Sequence, residues 1–332
     1  MIRRLSFYES DRFLPYRNQA MEEYLLDHVA EDECILYLWQ NQKTVVIGQN
    51  QNAWKELKVQ KLEADGGHLA RRLSGGGAVF HDLGNLNFTF LAHEENYDVD
   101  RQLGVILRAC QSLGIQAEKT GRNDVTVDGR KFSGNAFYQR GARRYHHGTL
   151  MICVDFALLS EYLTVPEQKL KAKGVQSVKS RVSNLSAFCP QLTIAQMKEA
   201  LYDAFGETYG IMPLRAALPA CAQTELAALT EHYASWEWRA GRTIPFEYEV
   251  SERFSWGDIT LRFHVERGYA AQVQAFSDAM QPDFVLGIPR ALERCRFASR
   301  DLADAILTLR GSYARAEAEI SDIAALVRRQ NF

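Results

Sequence analysis

The chain has no charge of one sign to spare. Its 332 residues carry 39 Lys and Arg against 41 Asp and Glu, a formal net charge of −2. No global field draws it to nucleic acid or an anionic membrane, so any anion site must be local. Metal and redox motifs are missing as well. The six cysteines (Cys34, Cys110, Cys153, Cys189, Cys221, Cys295) form no CxxC pair, and no histidine stands at metal-ligand spacing. Most lie in apolar contexts, as buried thiols of a reducing compartment do. No apolar run approaches the ~18 residues needed to span a bilayer. Residues 1–15 lack the apolar core of a secretion signal, and the expectation is a soluble, cytoplasmic protein. There is no internal repeat, and no glycine run is followed by the Gly-Lys-Ser/Thr of a Walker A loop. What remains is ordinary globular composition, 46% hydrophobic and 24% charged, enough for one large domain plus a smaller one or for two comparable ones.

Against that background one stretch stands out, Arg71-Arg72-Leu73-Ser74-Gly75-Gly76-Gly77-Ala78-Val79-Phe80. A triple glycine alone reads as a flexible turn, since glycine loses backbone entropy on folding and brings no side chain to bury. Here the glycines lie between two guanidinium groups and a short apolar run. Backbone without Cβ atoms comes close to a phosphate or carboxylate and points N–H groups at it. This stretch is the expected centre for handling an anion.

In chain order, Met21, Tyr24, Leu25 and Val29 mark one face of a helix over Asn18–Val29. The apolar runs Cys34–Trp39 and Thr44–Ile47, separated by four polar residues, read as a hairpin of central strands. A charged helix over Trp54–Glu63 leads to the arginine–glycine stretch. Beyond it, alternating Leu86, Phe88 and Phe90 give a half-buried strand returning from Ala78–Phe80 through residues 81–84. A helix over 103–113 follows, stopped by Gly114.

Residues 121–134 (GRNDVTVDGRKFSG) form the second informative stretch. Asp128-Gly129 signals a two-residue hairpin turn. Pairing outward from it sets Val127 against Arg130, Thr126 against Lys131, Val125 against Phe132 and Asp124 against Ser133. Partners share a face, so Asp124, Thr126, Lys131 and Ser133 fall on one side and the apolar residues on the other. Read alone, that polar side is a solvated strand face or a site. The glycine after Ser133 favours close backbone approach.

Tyr145-His146-His147-Gly148-Thr149 precedes a strand over 150–156. Adjacent histidines in extended chain point to opposite faces, which makes a poor metal clamp and suggests one buried ring and one facing a site. Lys169, Lys171, Lys173, Lys179 and Arg181 form a basic run without an acid, either a solvated face or a loop that closes over an anion. After residue 250 a strand pair (Ile259–Val265, Tyr269–Phe276) and two helices, about 288–310 and 313–330, read as a separate C-terminal domain.

Five motifs in order, LYLWQNQKTVVIGQNQN (36–52), ARRLSGGGAVFHDLGN (70–85), TGRNDVTVDGRKFSGNAF (120–137), HHGTL (146–150) and KLKAKGVQSVKSRVSNL (169–185), resemble those of the two-domain lipoate–protein ligase family. ERFSWGDITLRFHVERG (252–268) resembles its accessory domain. The resemblance implies an α+β fold: a catalytic domain over 1–245 built on the mixed β-sheet of biotin and lipoate ligases, akin to class II synthetase cores, and a small α/β accessory domain over 250–332. It implies activation of lipoate with ATP and Mg²⁺ to lipoyl-AMP and pyrophosphate. The lipoyl group then passes to one lysine of an acceptor, a lipoyl domain of a 2-oxoacid dehydrogenase complex or the glycine-cleavage H protein. A monomer is expected.

By the same resemblance Lys131 contacts both carboxyl and α-phosphate and is the catalytic residue. Arg71, Arg72, Gly76, Gly77, Ala78, Val79, Phe80, Asn123 and Asp124 join it around the nucleotide, with Asp124 toward the metal. Lys131, Gly76 and His147 meet lipoate, and Lys173, Gly174, Val178 and Arg181 belong to a loop over the adenylate. Gln49 stands where relatives often carry arginine. The chemistry suits these residues: adenylation presses a carboxylate against a phosphate, and a compact ammonium on a strand touches both and relieves their repulsion. Lipoate, an apolar chain, needs a tunnel, with walls expected among residues 35–47 and 86–91. Competing readings are an ATP-independent octanoyl or lipoyl transferase with a cysteine nucleophile, a biotin ligase, and a non-catalytic lipoate- or adenylate-binding protein. No cysteine lies in the glycine, Lys131 or His147 motifs.

Overall fold

The computed structural model describes residues 1–49, 51, 53–120, 124–163, 182–240, 247–277, 279, 282–330 and 332. It divides into two compact units, the first formed by residues 1–51 and 61–235, the second by 52–60 and 236–332.

The first unit is built on an eight-stranded mixed sheet: β1 (Arg4–Glu9), β2 (Glu33–Trp39), β6 (Asn85–His93), β7 (Glu118–Thr120), β8 (Asp124–Val127), β9 (Arg130–Arg140), β10 (Arg143–Met151) and β11 (Leu214–Arg215), in the order β11-β1-β2-β6-β10-β9-β8-β7. A second, three-stranded sheet holds β3 (Thr44–Ile47), β4 (His68–Arg71) and β5 (Val79–His81), with β3 central. Buried Leu36, Leu38, Phe88, Phe90, Phe132 and Leu150 pack with the helices Val99–Ser112 and Ile194–Tyr209 to make the core. β2 and β6 are central strands buried along nearly their whole length; for β2 that explains a near-continuous apolar run, whereas the alternation in β6, expected to mark a half-buried strand, instead reflects Asn85, Asn87 and Thr89 buried on the second face.

Two expected hairpins are therefore corrected. Residues 34–39 and 44–47 do not pair with each other: β2 lies between β1 and β6, whereas β3 lies between β4 and β5. The chain leaves the large sheet between them through buried Gln40 and Asn41. Asn18, on the helix Pro15–His28, satisfies that crossing by donating from Nδ2 to Gln40 O (2.8 Å) and Asn41 Oδ1 (3.0 Å). Likewise β5 does not pair with β6; residues 82–84 carry the chain back to the large sheet. Apolar runs announce buried strands, but not which sheet they join.

The second unit has its own core. An antiparallel sheet of β12 (Glu247–Phe254), β13 (Gly257–Glu266) and β14 (Tyr269–Ser277) buries Val250, Ile259, Leu261, Phe263 and Val265 against helices Pro282–Leu292, Ser299–Leu307 and Glu317–Arg328. Three helices stand where two were expected. A break at residues 293–298 precedes Ser299, and a 3₁₀ turn (Thr308–Gly311) follows Leu307.

Candidate active site

A single row of residues runs across the face of the large sheet. Trp39 on β2 is opposite Asn87 on β6, which is opposite Thr149 on β10. Thr149 Oγ1 accepts from the N–H of Gly134 on β9 (3.3 Å), and Gly134 is opposite Asp124 on β8. From Gly134 to Trp39 is three strand spacings, about 14 Å. All five residues line a cavity of about 350 Å³, together with Lys131, Ala136, His147, Gly76–Val79, His81 and Val46, and with Gln19 and Glu22 from the helix Pro15–His28. The large sheet supplies the floor. The small sheet, through the loop between β4 and β5, supplies a wall.

At one end Lys131 Nζ meets Asp124 Oδ1 at 2.7 Å. Their meeting depends on a departure from the expected pairing. Val127 faces Arg130 and Thr126 faces Lys131 as expected, but a bulge then shifts the register so that Val125 faces Ser133 and Asp124 faces Gly134. A bulge re-aims every side chain beyond it. Ser133 turns to the buried face with Val125, away from the site face where it was expected, and Gly134 takes its place beside Asp124. A Cβ at Gly134 would stand 3.0 Å from Lys131 Nζ, so the lysine lies over bare backbone.

The glycine loop is held from below. Arg72, buried, donates through Nη2 to Gly75 O (2.8 Å) and Gly77 O (2.8 Å), through Nη1 to Val46 O (3.2 Å) and through Nε to Ser74 Oγ (3.1 Å). Burial pulls its guanidinium down to about 10, still charged at neutral pH. Gly76 adopts φ +96°, and a Cβ on Gly48 would stand 2.3 Å from Gly76 O. The loop thus needs glycine both for its conformation and for the strand end beneath it.

From Ser74 a buried relay crosses the site. Ser74 Oγ donates to His147 Nε2 (2.7 Å), and His147 Nδ1 donates to Glu22 Oε1 (2.8 Å). The same oxygen accepts from Thr89 Oγ1 (2.6 Å), which accepts from Trp39 Nε1 (3.1 Å). Both ring nitrogens of His147 are engaged, so it ties the glycine loop to the helix. His146 points the other way, as adjacent strand residues must. It stacks between Phe90 and Phe137 and burial holds its pKa near 3.

Of the sequence-identified residues, Arg72, Gly76, Gly77, Ala78, Val79, Asp124, Lys131 and His147 line the cavity. Arg71 and Phe80 do not. Arg71 donates to the carbonyls of Gly48, Gln49 and Gln51, and Phe80 is buried with its ring 5.8 Å from that of Tyr162. Both stand behind the cavity wall, next to the residues that form it. Asn123, Lys173, Gly174, Val178 and Arg181 lie outside the described residues; Val182, just after that basic run, bridges to Lys131. Trp39, Val46 and Asn87 come from the ranges expected to wall a tunnel. Gln19, Glu22, Ser74 and Thr149 were missed. Glu22 and Gln19 were hidden because a helix facing a site buries polar residues, and a search for apolar periodicity reads the wrong face.

The model of the lipoyl protein ligase A/B catalytic domain matches residues 14–206, and that of the bacterial lipoate protein ligase C-terminus matches 243–327. The chain belongs to the lipoate–protein ligase family. Solved structures agree with that placement of the ligase. It is 27% identical to P. falciparum LipL1, crystallised with lipoate, over 96% of this chain and 99% of that one, with a TM-score of 0.63. The bi-partite lipoate protein ligase of Thermoplasma acidophilum, described with its E2 lipoyl domain, is 27% identical over 74% of this chain and 99% of its own (TM-score 0.65). A lipoate-protein ligase A bound with ATP is 25% identical over 73% and 99% (TM-score 0.63). The mixed α+β architecture of the ligase is that of these enzymes. No helix among its described residues is long and apolar enough to cross a membrane.

Proposed function

We propose that this ligase activates lipoate with ATP and passes the lipoyl group to a lysine of a lipoyl domain. The observation that carries the reading is the continuity of one cavity from the Lys131–Asp124 pair, past the glycine loop, to Trp39 and Val46. A carboxylate laid at the Lys131 end has room for its chain along the sheet row, and its oxygen faces the loop that would take the nucleotide phosphates. A carboxylate oxygen attacks the α-phosphorus, the α–β bridge breaks and pyrophosphate leaves. Lys131 touches both anions and offsets the charge that accumulates between them. In the second step the acceptor amine, neutral, attacks the carbonyl and AMP departs; positioning of the anhydride is the main requirement.

Among the described residues two carboxylates line the cavity, Asp124 and Glu22, and Glu22 is already bonded to His147 and Thr89. Magnesium commonly takes one or two carboxylates plus phosphate oxygens, so Asp124 is the residue that would hold Mg²⁺ there. When bound, the ion neutralises the leaving pyrophosphate. Asn123 and the segment carrying Lys173, Gly174, Val178 and Arg181 complete the proposed nucleotide shell. The E2 lipoyl domain studied with the archaeal relative supports a lipoyl domain as acceptor; the glycine-cleavage H protein is the second candidate. We place the enzyme, as a monomer, in the cytoplasm.

Among the described residues no cavity-lining residue is a cysteine, and burial pushes the Cys34 and Cys110 thiols up to about 12. That disfavours an acyltransferase working through a thiolate. The test combines lipoate, Mg·ATP and an apo lipoyl domain, following pyrophosphate and acceptor mass. Both should rise together. Acceptor modified without ATP, or pyrophosphate released while the acceptor never changes, removes the reading.

A further inference from the structure

Arg72 and Lys131 are the arginine and lysine among the described residues that line the cavity, and the protein already engages both. Arg72 gives its guanidinium to the carbonyls of Val46, Gly75 and Gly77 and to Ser74. Lys131 Nζ holds Asp124 Oδ1 at 2.7 Å, the length of a charge-assisted hydrogen bond. A carboxylate that enters must therefore share the ammonium with Asp124 or displace it. Two carboxylates on one lysine repel each other.

The geometry around the pair is specific to it. Lys131 is fixed through its main chain on both edges of its strand. It is opposite Thr126 on β8, while on the other edge Val182 bridges to it and the Ser183 N–H donates to its carbonyl (2.9 Å). The ammonium can change partner only through its flexible four-carbon stem. The bulge between Val125 and Thr126 sets Asp124 opposite Gly134, and a Cβ at Gly134 would stand 3.0 Å from Nζ. Bulges beside active sites re-aim a side chain in this way. Both partners keep solvent access, the Lys131 side chain at 36% and that of Asp124 at 45%, so parting them strands no charge in the interior. Glu22, the other lining carboxylate, is buried and tied to His147 and Thr89, and has no such freedom.

We infer that Asp124 is an internal rival of the substrate carboxylate: it holds Lys131 until the metal of the nucleotide draws it away, so that nucleotide and carboxylic acid bind with positive coupling. The inference rests on the ligase reading above, which gives Asp124 to the metal and Lys131 to the carboxylate. A divalent ion on Asp124 repels the ammonium beside it and turns Lys131 toward the acid. Linkage makes the effect mutual, since whatever the nucleotide does for the acid, the acid does for the nucleotide.

Calorimetry on the full-length protein tests this without turnover. Lipoate is titrated into the native protein and into Asp124→Asn, which keeps the shape and removes the charge. Lipoamide, with the same chain and no charge, is the control. The variant should bind lipoate about fivefold more tightly than the native protein, the upper range for a half-exposed pair, while lipoamide affinity stays the same. Asp124→Ser should follow Asp124→Asn, which separates charge from the shape of one side chain. The phosphates of the nucleotide repel the acid in either protein, so the variant serves as the reference for coupling. With Mg²⁺ and a saturating non-hydrolysable ATP analogue, lipoate affinity should improve about fivefold more in the native protein than in Asp124→Asn. Lipoate bound equally by the native protein and both variants overturns the inference. So does a gain that lipoamide shares, or an analogue effect that is the same with and without Asp124. If neither lipoate nor lipoamide binds any of the proteins, the ligase reading itself fails and the inference falls with it.

Discussion

Lys131 spans the gap to Asp124 over the one backbone position that lacks a side chain. At Gly134 an added Cβ would sit 3.0 Å from the ammonium and 3.1 Å from its Cε. Gly134→Ala should therefore displace the lysine without disturbing the core. We expect pyrophosphate release to fall roughly tenfold and the melting temperature to move little. Lys131→Ala should go further, lowering adenylate formation by about 10²–10³-fold, the usual scale for losing a group that stabilises developing charge. Its far-ultraviolet circular dichroism should be unchanged, since Phe132 and Val125 on the opposite face are untouched. Near-normal pyrophosphate release by that variant would take Lys131 out of the mechanism.

Two buried histidines give the residue scale a second signature. His81 and His146 both have folded pKa values near 3 against about 6.5 in the unfolded chain. Between those values the unfolded state binds more protons, so stability rises with pH across the window and is lost as pH falls from 6.5 toward 3. Each histidine makes the slope steeper by up to about 1.4 kcal/mol per pH unit. Urea midpoints measured from pH 7 to pH 4.5 should fall steadily, and His146→Gln should flatten the curve. A curve as steep as the native one would mean that His146 is protonated in the fold.

The elements of the site are two sheets and a helix, and their meeting is where prediction from sequence succeeded and failed. Lys131, Asp124 and the glycine run were legible because each breaks a local rule: glycine without a simple turn, lysine in a strand beside a carboxylate. The bulge after Thr126 was not, since nothing in Val125-Thr126 or Lys131-Phe132 marks an extra residue and the turn at Asp128-Gly129 fixes only the first pairs. The sheet switch at 40–43 was hidden for another reason. It is specified by Asn18, more than twenty residues upstream, whose amide satisfies the crossing. At this scale Gly48→Ala is the informative change, because its Cβ meets backbone, Gly76 O at 2.3 Å. The glycine loop must shift, and we expect KM for ATP to rise at least tenfold while lipoate binding measured by calorimetry changes much less.

At the scale of the whole molecule, the chain passes between its two units three times, at residues 51–52, 60–61 and 235–236. Residues 52–60 belong with the second unit, where Trp54 packs on Trp236 at 5.8 Å between ring centroids. Removing residues 236–332 would strip that segment of its partners. Limited proteolysis of the truncated protein should cut within 52–60 before anywhere in the first unit; resistance there would argue that the segment is held independently.

The row from Trp39 through Asn87, Thr149 and Gly134 to Asp124 also bears on how the protein folds. Its members are separated by up to 110 residues of chain and meet only when five strands have docked in register. Contacts of that range close slowly, so the cavity is among the last features to form and no early folding species can hold lipoate. A ligand that recognises only the completed row acts as a latch on the finished sheet. At a hundredfold excess over its dissociation constant it adds about 2.7 kcal/mol to stability, drawn almost wholly from slower unfolding.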